Sequence, residues 1–390
     1  MGDGVILEHV RPLGGAPVDV HVAGGRIAKL TPSTREGAAA ILLPGLVEGH
    51  CHLDKTLWGR PWWRNEVGPL LRHRIENEKA VRKALGMDAA REGRALCLAH
   101  LAAGTTRLRS HVDVDEESRL GHVEKLLELR ESLRGVMDIQ LVAFPQSGLL
   151  RTPGAEEWME EALRLGCDVV GGLDPSVIDR DPVKHLDIVF KLAERHGKPV
   201  DIHLHEPHEL GAFSMELIAE RTRAIGAQGR VTISHGFALG DVPAPRADAL
   251  LAMLAEAGVA VCTSAPPSRA TPPLRRAREL GVTLFAGNDN IRDTWNPYNA
   301  PDMLARAAMV GLKYELRRDE EVEWALAAVT IEAAKGCGFA GYGLEAGAQA
   351  DLVVVEAESL AEAVVTRKPP KLVVSNGREV ARDGVARVIA

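Results

Sequence analysis

The chain has 390 residues, of which 46% are hydrophobic and 26% charged, and its net charge is −7. This is the profile of a soluble globular protein with one large domain and a small one, and the acidic balance gives no reason to expect nucleic acid or an anionic membrane as partner. Cys51, Cys97, Cys167, Cys262 and Cys337 are scattered and form no Cys-x-x-Cys pair, the start lacks a basic-then-apolar leader, and no apolar run approaches the roughly 20 residues needed to cross a bilayer. A reducing cytoplasm is the expected location.

Residues 1–44 read as short strands: Val18–Val22, the turn Gly24-Gly25, then Arg26–Leu30, a hairpin signal. Beyond them the middle of the chain alternates short β-branched runs with longer helical stretches. Eight candidate strands are Leu46–His52, Thr105–Val112, Ile139–Gln146, Asp168–Asp174, Val200–Glu206, Val231–His235, Val259–Ser264 and Val282–Asp289. Amphipathic segments such as Ala155–Leu165, Pro182–His196 and Met215–Ile225 lie between them. Eight strand–helix repeats in 250 to 300 residues predict a (β/α)8 barrel over 45–340. A doubly wound sheet is the alternative, but no Gly-x-Gly-x-x-Gly turn follows the first strand. The tail returns to strand grammar in Ala350–Val355, Lys371–Ser375, Asn376-Gly377 and Arg378–Ala381. Residues 1–44 and 341–390 are therefore expected to pair into one small β domain, since domain termini often lie close together.

Barrel catalysis sits where strands end. Strand one closes on His50 and His52, two residues apart and so on one face. Strand two closes on His111 and Asp113, strand three on Gln146 and strand four on Asp174. Strand five closes on His203, His205 and Glu206, strand six on His235, and strand eight on Asp289. Isolated rim residues of this kind are solvated loop groups; imidazoles and carboxylates at nearly every strand end instead converge on one bowl. His50, His52, His203 and Asp289 would supply three imidazoles and a carboxylate, a set suited to Zn²⁺ or Fe²⁺, and water at an open position of such a centre becomes nucleophilic. Glu206, His235 and Asp289 are placed to move protons. His205 reads as a supporting residue, because the strand is ending there, and His111 as pocket lining or support. The charged segment Arg60–Lys83 reads as a solvated helix, with Trp58, Trp62 and Trp63 at its start leaving a lid open.

These pieces resemble the amidohydrolase superfamily, and within it the chain is similar to cytosine deaminase and to the N-substituted ammelide aminohydrolases of triazine breakdown. The matching runs are Val47–Asp54, Arg109–Val114, Val142–Gln146, His203–Glu206, Ser234-His235, Gly287–Asn290 with Trp295-Asn296-Pro297, and Gly347–Val353 in the tail. The resemblance implies a β-sandwich built from both chain ends and one metal ion on His50, His52, His203 and Asp289. It implies deamination of a cyclic amidine, such as cytosine, another aminopyrimidine or an aminotriazine, by metal-bound hydroxide. In that scheme Glu206 protonates the ring, His235 positions the nucleophile, Asp289 relays a proton, and Gln146, Asn290 and Trp295 bind substrate. The strand-four lysine of two-metal relatives is missing from Asp168–Asp174, which implies a single ion. Asn290 stands where cytosine deaminase has a second Asp, and Leu204-His205 replace a Cys-Asp pair. The rival readings are a cyclic amide hydrolase of the dihydroorotase or hydantoinase kind, against which the missing lysine argues, and an inactive metal-binding homologue. The partner is a small nitrogen heterocycle, and assembly into a homo-oligomer is left open.

Overall fold

The computed structural model describes residues 5–68 and 71–388. The outermost residues of the expected small domain, 1–4 and 389–390, and positions 69–70 of the segment Arg60–Lys83, lie outside them. The described residues form two eight-stranded sheets.

Four strands open the chain: β1 (Val5–Pro12), β2 (Val18–Ala23), β3 (Arg26–Pro32) and β4 (Ala40–Pro44). The barrel follows with β5 (Leu46–Cys51), β6 (Thr105–Asp113), β7 (Asp138–Phe144), β8 (Val169–Leu173), β9 (Val200–Leu204), β10 (Val231–His235), β11 (Val259–Thr263) and β12 (Leu284–Ala286). The tail adds β13 (Leu352–Val355), β14 (Leu372–Ser375), β15 (Arg378–Arg382) and β16 (Val385–Ala386).

Strands β5 to β12 pair in sequence order and all in parallel. A parallel strand covered on both faces cannot spare a face for water, and every residue of β5, β6 and β8 to β12 is buried. The amphipathic segments form helices Ala155–Leu165, Pro182–His196 and His208–Ala224 around them. The cylinder closes between β12 and β5 through a parallel bridge of Cys51 and Asp289, with Asp289 N donating to His50 O at 2.7 Å. Two glycines allow this approach. A Cβ on Gly49 would fall 2.6 Å from the Phe285 ring, and one on Gly287 would fall 2.4 Å from His50 N.

Most of the strands end earlier than the alternation suggests, and the reason is chemical. β9 stops at Leu204 rather than Glu206, β8 at Leu173 rather than Asp174, and β12 at Ala286 rather than Asp289. Asp174, His235 and Asp289 adopt left-handed φ values of 35°, 72° and 63°, a costly conformation outside glycine that clusters at functional turns. The chain turns away where these side chains are delivered.

The two ends of the chain make one mixed sheet, in the order β16-β15-β14-β13-β4-β1-β2-β3. β4 joins the halves, parallel to β1 and antiparallel to β13. Period-two alternation divides its side chains: Leu42, Leu352, Val354 and Val374 close a small core with Leu7, Val20 and Ile27, whereas Ile41, Leu43, Val353 and Val373 join the core that runs under the barrel. The Gly24-Gly25 and Asn376-Gly377 turns have positive φ throughout, the type I′ geometry that matches strand twist.

Candidate metal centre

Four strand ends bring five imidazoles together at one end of the barrel. The His50 ring centroid lies 4.1 Å from that of His111, 4.6 Å from His203, 5.1 Å from His235 and 5.5 Å from His52. Asp289 Oδ1 is 3.7 Å from His50 Nε2 and 3.3 Å from His52 Nε2. Donor atoms of His50, His111 and His203, and of His50, His235 and Asp289, fall within 4.8 Å of one another.

Each of these histidines is buried, and much of its hydrogen-bonding capacity is unused. His50 Nε2, His52 Nδ1 and both nitrogens of His111, His203 and His235 lack a hydrogen-bond partner among the described residues. A buried polar atom left bare costs about 1–3 kcal/mol, so several at one spot indicate a ligand shared between them. Burial, and then the neighbouring His111, push the His50 and His203 imidazoles well below their ordinary value. His235 is pushed down to about 3, first by burial and then by His205. Neutral imidazole is the form that binds metal. Burial opposes ionisation of Asp289, but its hydrogen bond to His52 and the surrounding imidazoles outweigh burial and hold it below the usual carboxylate range. Neutral nitrogens and an ionised carboxylate on one spot fit a divalent cation.

The orientation of His50 is fixed from below. Ser234 Oγ donates its only proton to Asp201 Oδ1 at 2.6 Å, and Asp201 is paired with Arg109 at 2.8 Å. Ser234 must therefore accept from His50 Nδ1, 2.9 Å away, which leaves the Nε2 lone pair free. This relay sets the His50 tautomer in the way carboxylates do behind metal-bound histidines.

The remaining predicted residues are each held by partners of their own. Glu206 is buried, with Oε1 accepting from Ser176 N at 2.6 Å and Val177 N at 2.9 Å, and Oε2 accepting from Ser214 Oγ. Burial raises its carboxyl above the ordinary value, against the opposing Ser214 and Val177 donors. His205 stacks on His235 at 4.3 Å and bonds Asp174 through Nδ1 at 2.8 Å. Burial alone would lower its imidazole, but Asp174 reverses that and raises it. Gln146 Oε1 accepts from Lys55 Nζ at 2.9 Å, Asn290 Nδ2 donates to Asp293, and the Trp295 indole donates to Glu78.

One reading needs correction. The segment Arg60–Lys83 is not simply a solvated helix. Helix Leu71–Ala84 turns Glu78, 6% exposed, toward the barrel, where it pairs with Arg82 and lies 3.8 Å from Lys55. Its charges at 78 and 82 are one helical turn apart and meet charges of the barrel rim rather than water. Of the three tryptophans at its start, Trp62 is 70% exposed, with the Arg292 guanidinium over its ring. Sequence reasoning also passed over Lys55, Asp201 and Asp293. Asp201 had a signal, since it precedes His203 by two and must share its face. Lys55 and Asp293 had none, because nothing in a single sequence marks a loop charge as buried.

In a third candidate group, His52 with Asp54 and Asp113, the carboxylates already have partners. Lys55 Nζ lies 2.8 Å and Arg82 3.0 Å from Asp113, and His122 lies 3.0 Å from Asp54.

Comparison with known proteins agrees with this geometry. The model of the amidohydrolase family Amidohydro_3 matches residues 39–387. The chain is 30% identical over 386 residues to N-isopropylammelide isopropyl amidohydrolase of Pseudomonas sp. (strain ADP), covering 94% of each chain. Among solved structures, N-isopropylammelide isopropylaminohydrolase from Burkholderia multivorans ATCC 17616 is 50% identical with a TM-score of 0.95, over 99% of this chain and 100% of that one. A 5-methylcytosine deaminase from Klebsiella pneumoniae, liganded with 5-fluorocytosine, is 25% identical with a TM-score of 0.87, over 100% of this chain and 99% of that one. No helix among the described residues is long and apolar enough to cross a membrane. The chain belongs to the amidohydrolase family and is a hydrolase of carbon–nitrogen bonds.

Proposed function

We propose that this protein removes an exocyclic amine, or ammonia, from a cyclic amidine of the aminotriazine or aminopyrimidine class. The barrel, 45–340, would carry the reaction, with 1–44 and 341–390 proposed as the accompanying β domain. One divalent ion, Zn²⁺ or Fe²⁺, would be held by His50, His52, His203 and Asp289. The observation that carries this reading is the convergence of buried neutral imidazoles with unpartnered nitrogens on one ionised carboxylate. Nitrogen ligands with one carboxylate suit either metal.

When bound, such an ion supplies Lewis acidity that brings the pKa of water toward neutrality. The protein's own groups handle the protons. Glu206, whose carboxyl burial raises above its ordinary value, delivers a proton to a ring nitrogen, so that the attacked carbon becomes electrophilic. His235 orients the water and accepts a hydrogen bond from it. Asp289 takes a proton and passes it to the departing amine. Gln146, Asn290 and Trp295 hold the ring. The absence of a lysine from Val169–Leu173, together with Glu206 and Gln146, favours amidine hydrolysis over ring-amide opening.

Glu206→Gln tests the assignment. The variant is expected to retain wild-type metal content, measured by elemental analysis, while amine release falls by about 10²–10⁴-fold, the usual share of general acid–base catalysis. Turnover within a few-fold of wild type removes Glu206 from the mechanism.

A further inference from the structure

Gln146 and Asn290 end in amides, and an amide offers a donor on one side and an acceptor on the other. A free amide rotates to suit its ligand. Neither of these is free. Lys55 can only donate; it is 3% exposed and gives a proton to Gln146 Oε1 at 2.9 Å while pairing with Asp113 Oδ1 at 2.8 Å. Burial would lower the Lys55 ammonium, but Asp113 and Glu78 outweigh burial and keep it charged. Asp293, also 3% exposed, accepts Trp295 N at 2.8 Å and Asn296 N at 2.9 Å on Oδ1 and Asn290 Nδ2 on Oδ2. Flipping Asn290 would set its carbonyl oxygen against this carboxylate, and flipping Gln146 would set its NH₂ against an ammonium. Gln146 Nε2 and Asn290 Oδ1 have no protein partner among the described residues.

We infer that Lys55 and Asp293 are positioning residues that lock the two amides in opposite senses, so that the substrate must present an acceptor to Gln146 and an N–H donor to Asn290. This rests on the proposed deaminase reading and sharpens it. The substrate class becomes an amino-heterocycle in a lactam form, with a ring carbonyl or bare ring nitrogen toward Gln146 and a ring N–H toward Asn290. Asn290 then serves as an uncharged acceptor, and Asp293, one helical turn's length along the loop, decides which of its atoms faces the ring. A site built to hydrogen-bond one group rejects a ring whose group at that place cannot pair, because buried polar atoms are left bare.

The test is calorimetric binding to the metal-loaded enzyme of two non-hydrolysable aminoheterocycles matched except at one ring position, N–H in one and bare nitrogen in the other. The wild type is expected to bind the N–H ring at least tenfold more tightly. Asp293→Asn, which lets Asn290 turn either way, should bring the pair within about threefold, and Lys55→Met should leave this preference in place while relaxing the choice of a carbonyl at the Gln146 side. Wild-type affinities within threefold of each other overturn the inference without any variant, as does an Asp293→Asn protein that folds and keeps the full preference. Failure to bind any heterocycle of either class sinks the deaminase reading itself, and the inference with it.

Discussion

The barrel carries two buried polar layers whose difference is instructive. His50, His111 and His203 form the upper one, and Glu48, Arg109 and Asp201, each two residues earlier on the same strand and face, form the lower one. All six are between 0% and 3% exposed. In the lower layer Arg109 bonds Asp201, Gln140, Thr232 and the Cys337 carbonyl, while Glu48 accepts His50 N at 3.2 Å and Asn288 N at 2.8 Å. The upper layer has five nitrogens bare: His50 Nε2 and both of His111 and His203. Burial and strand are shared, so the contrast lies in bonding alone. The lower layer is finished by the protein; the upper one is finished by what the protein binds.

Breaking the upper layer should abolish function and spare the fold. His203→Ala is expected to lower metal content to a small fraction of wild type and activity by more than about 10³-fold, while the metal-free protein unfolds at an unchanged or higher temperature, because bare buried nitrogens are removed. Breaking the lower layer should cost the fold directly. Asp201→Ala strands the Arg109 charge in the barrel and is expected to cost about 3–5 kcal/mol in denaturant unfolding.

The lower layer also predicts a pH dependence. Burial pushes Glu48 from an ordinary 4.5 up to about 7, against its Asn288 and His50 donors. Between these values the folded state binds more protons than the unfolded one, so stability on this group's account falls as pH rises from 4.5 to 7, by roughly 3 kcal/mol. Unfolding free energies from pH 5 to 8 should slope downward more steeply in the wild type than in Glu48→Gln; equal slopes would remove Glu48 as the source. The junction between the layers gives the smallest effect. Ser234→Ala frees the His50 tautomer and should weaken metal binding by about 10–100-fold in a competition titration, with little change in unfolding temperature.

Much of this was readable from the chain because both periodicities are strict. His50 and His52 sit two apart, the repeats are regular, and Gly24-Gly25 and Asn376-Gly377 mark their hairpins, so barrel, small sheet and the histidines of the cluster followed from pattern. His111 was the hard case: its strand placed it at the rim, but only the seam and the twist of neighbouring strands set its ring 4.4 Å from His203. The charged tier of Lys55, Glu78, Arg82 and Asp113 was hidden because a charge run on a helix looks solvated until the opposing charges are located. Asp293 was hidden for a related reason, since a loop carboxylate reveals its partners only when the turn is built. β1 and β4 went unassigned individually because they lack a tight glycine turn between them.

The central claim is that this centre cleaves an exocyclic carbon–nitrogen bond and leaves the ring intact. The most direct measurement is product analysis after incubation of the metal-loaded enzyme with a panel of aminotriazines and aminopyrimidines, counting released ammonia or alkylamine and intact ring in the same sample. Equimolar amine and intact oxo-ring are expected from at least one member. Ring-opened product without amine, or no amine from any member while metal is bound, would contradict it.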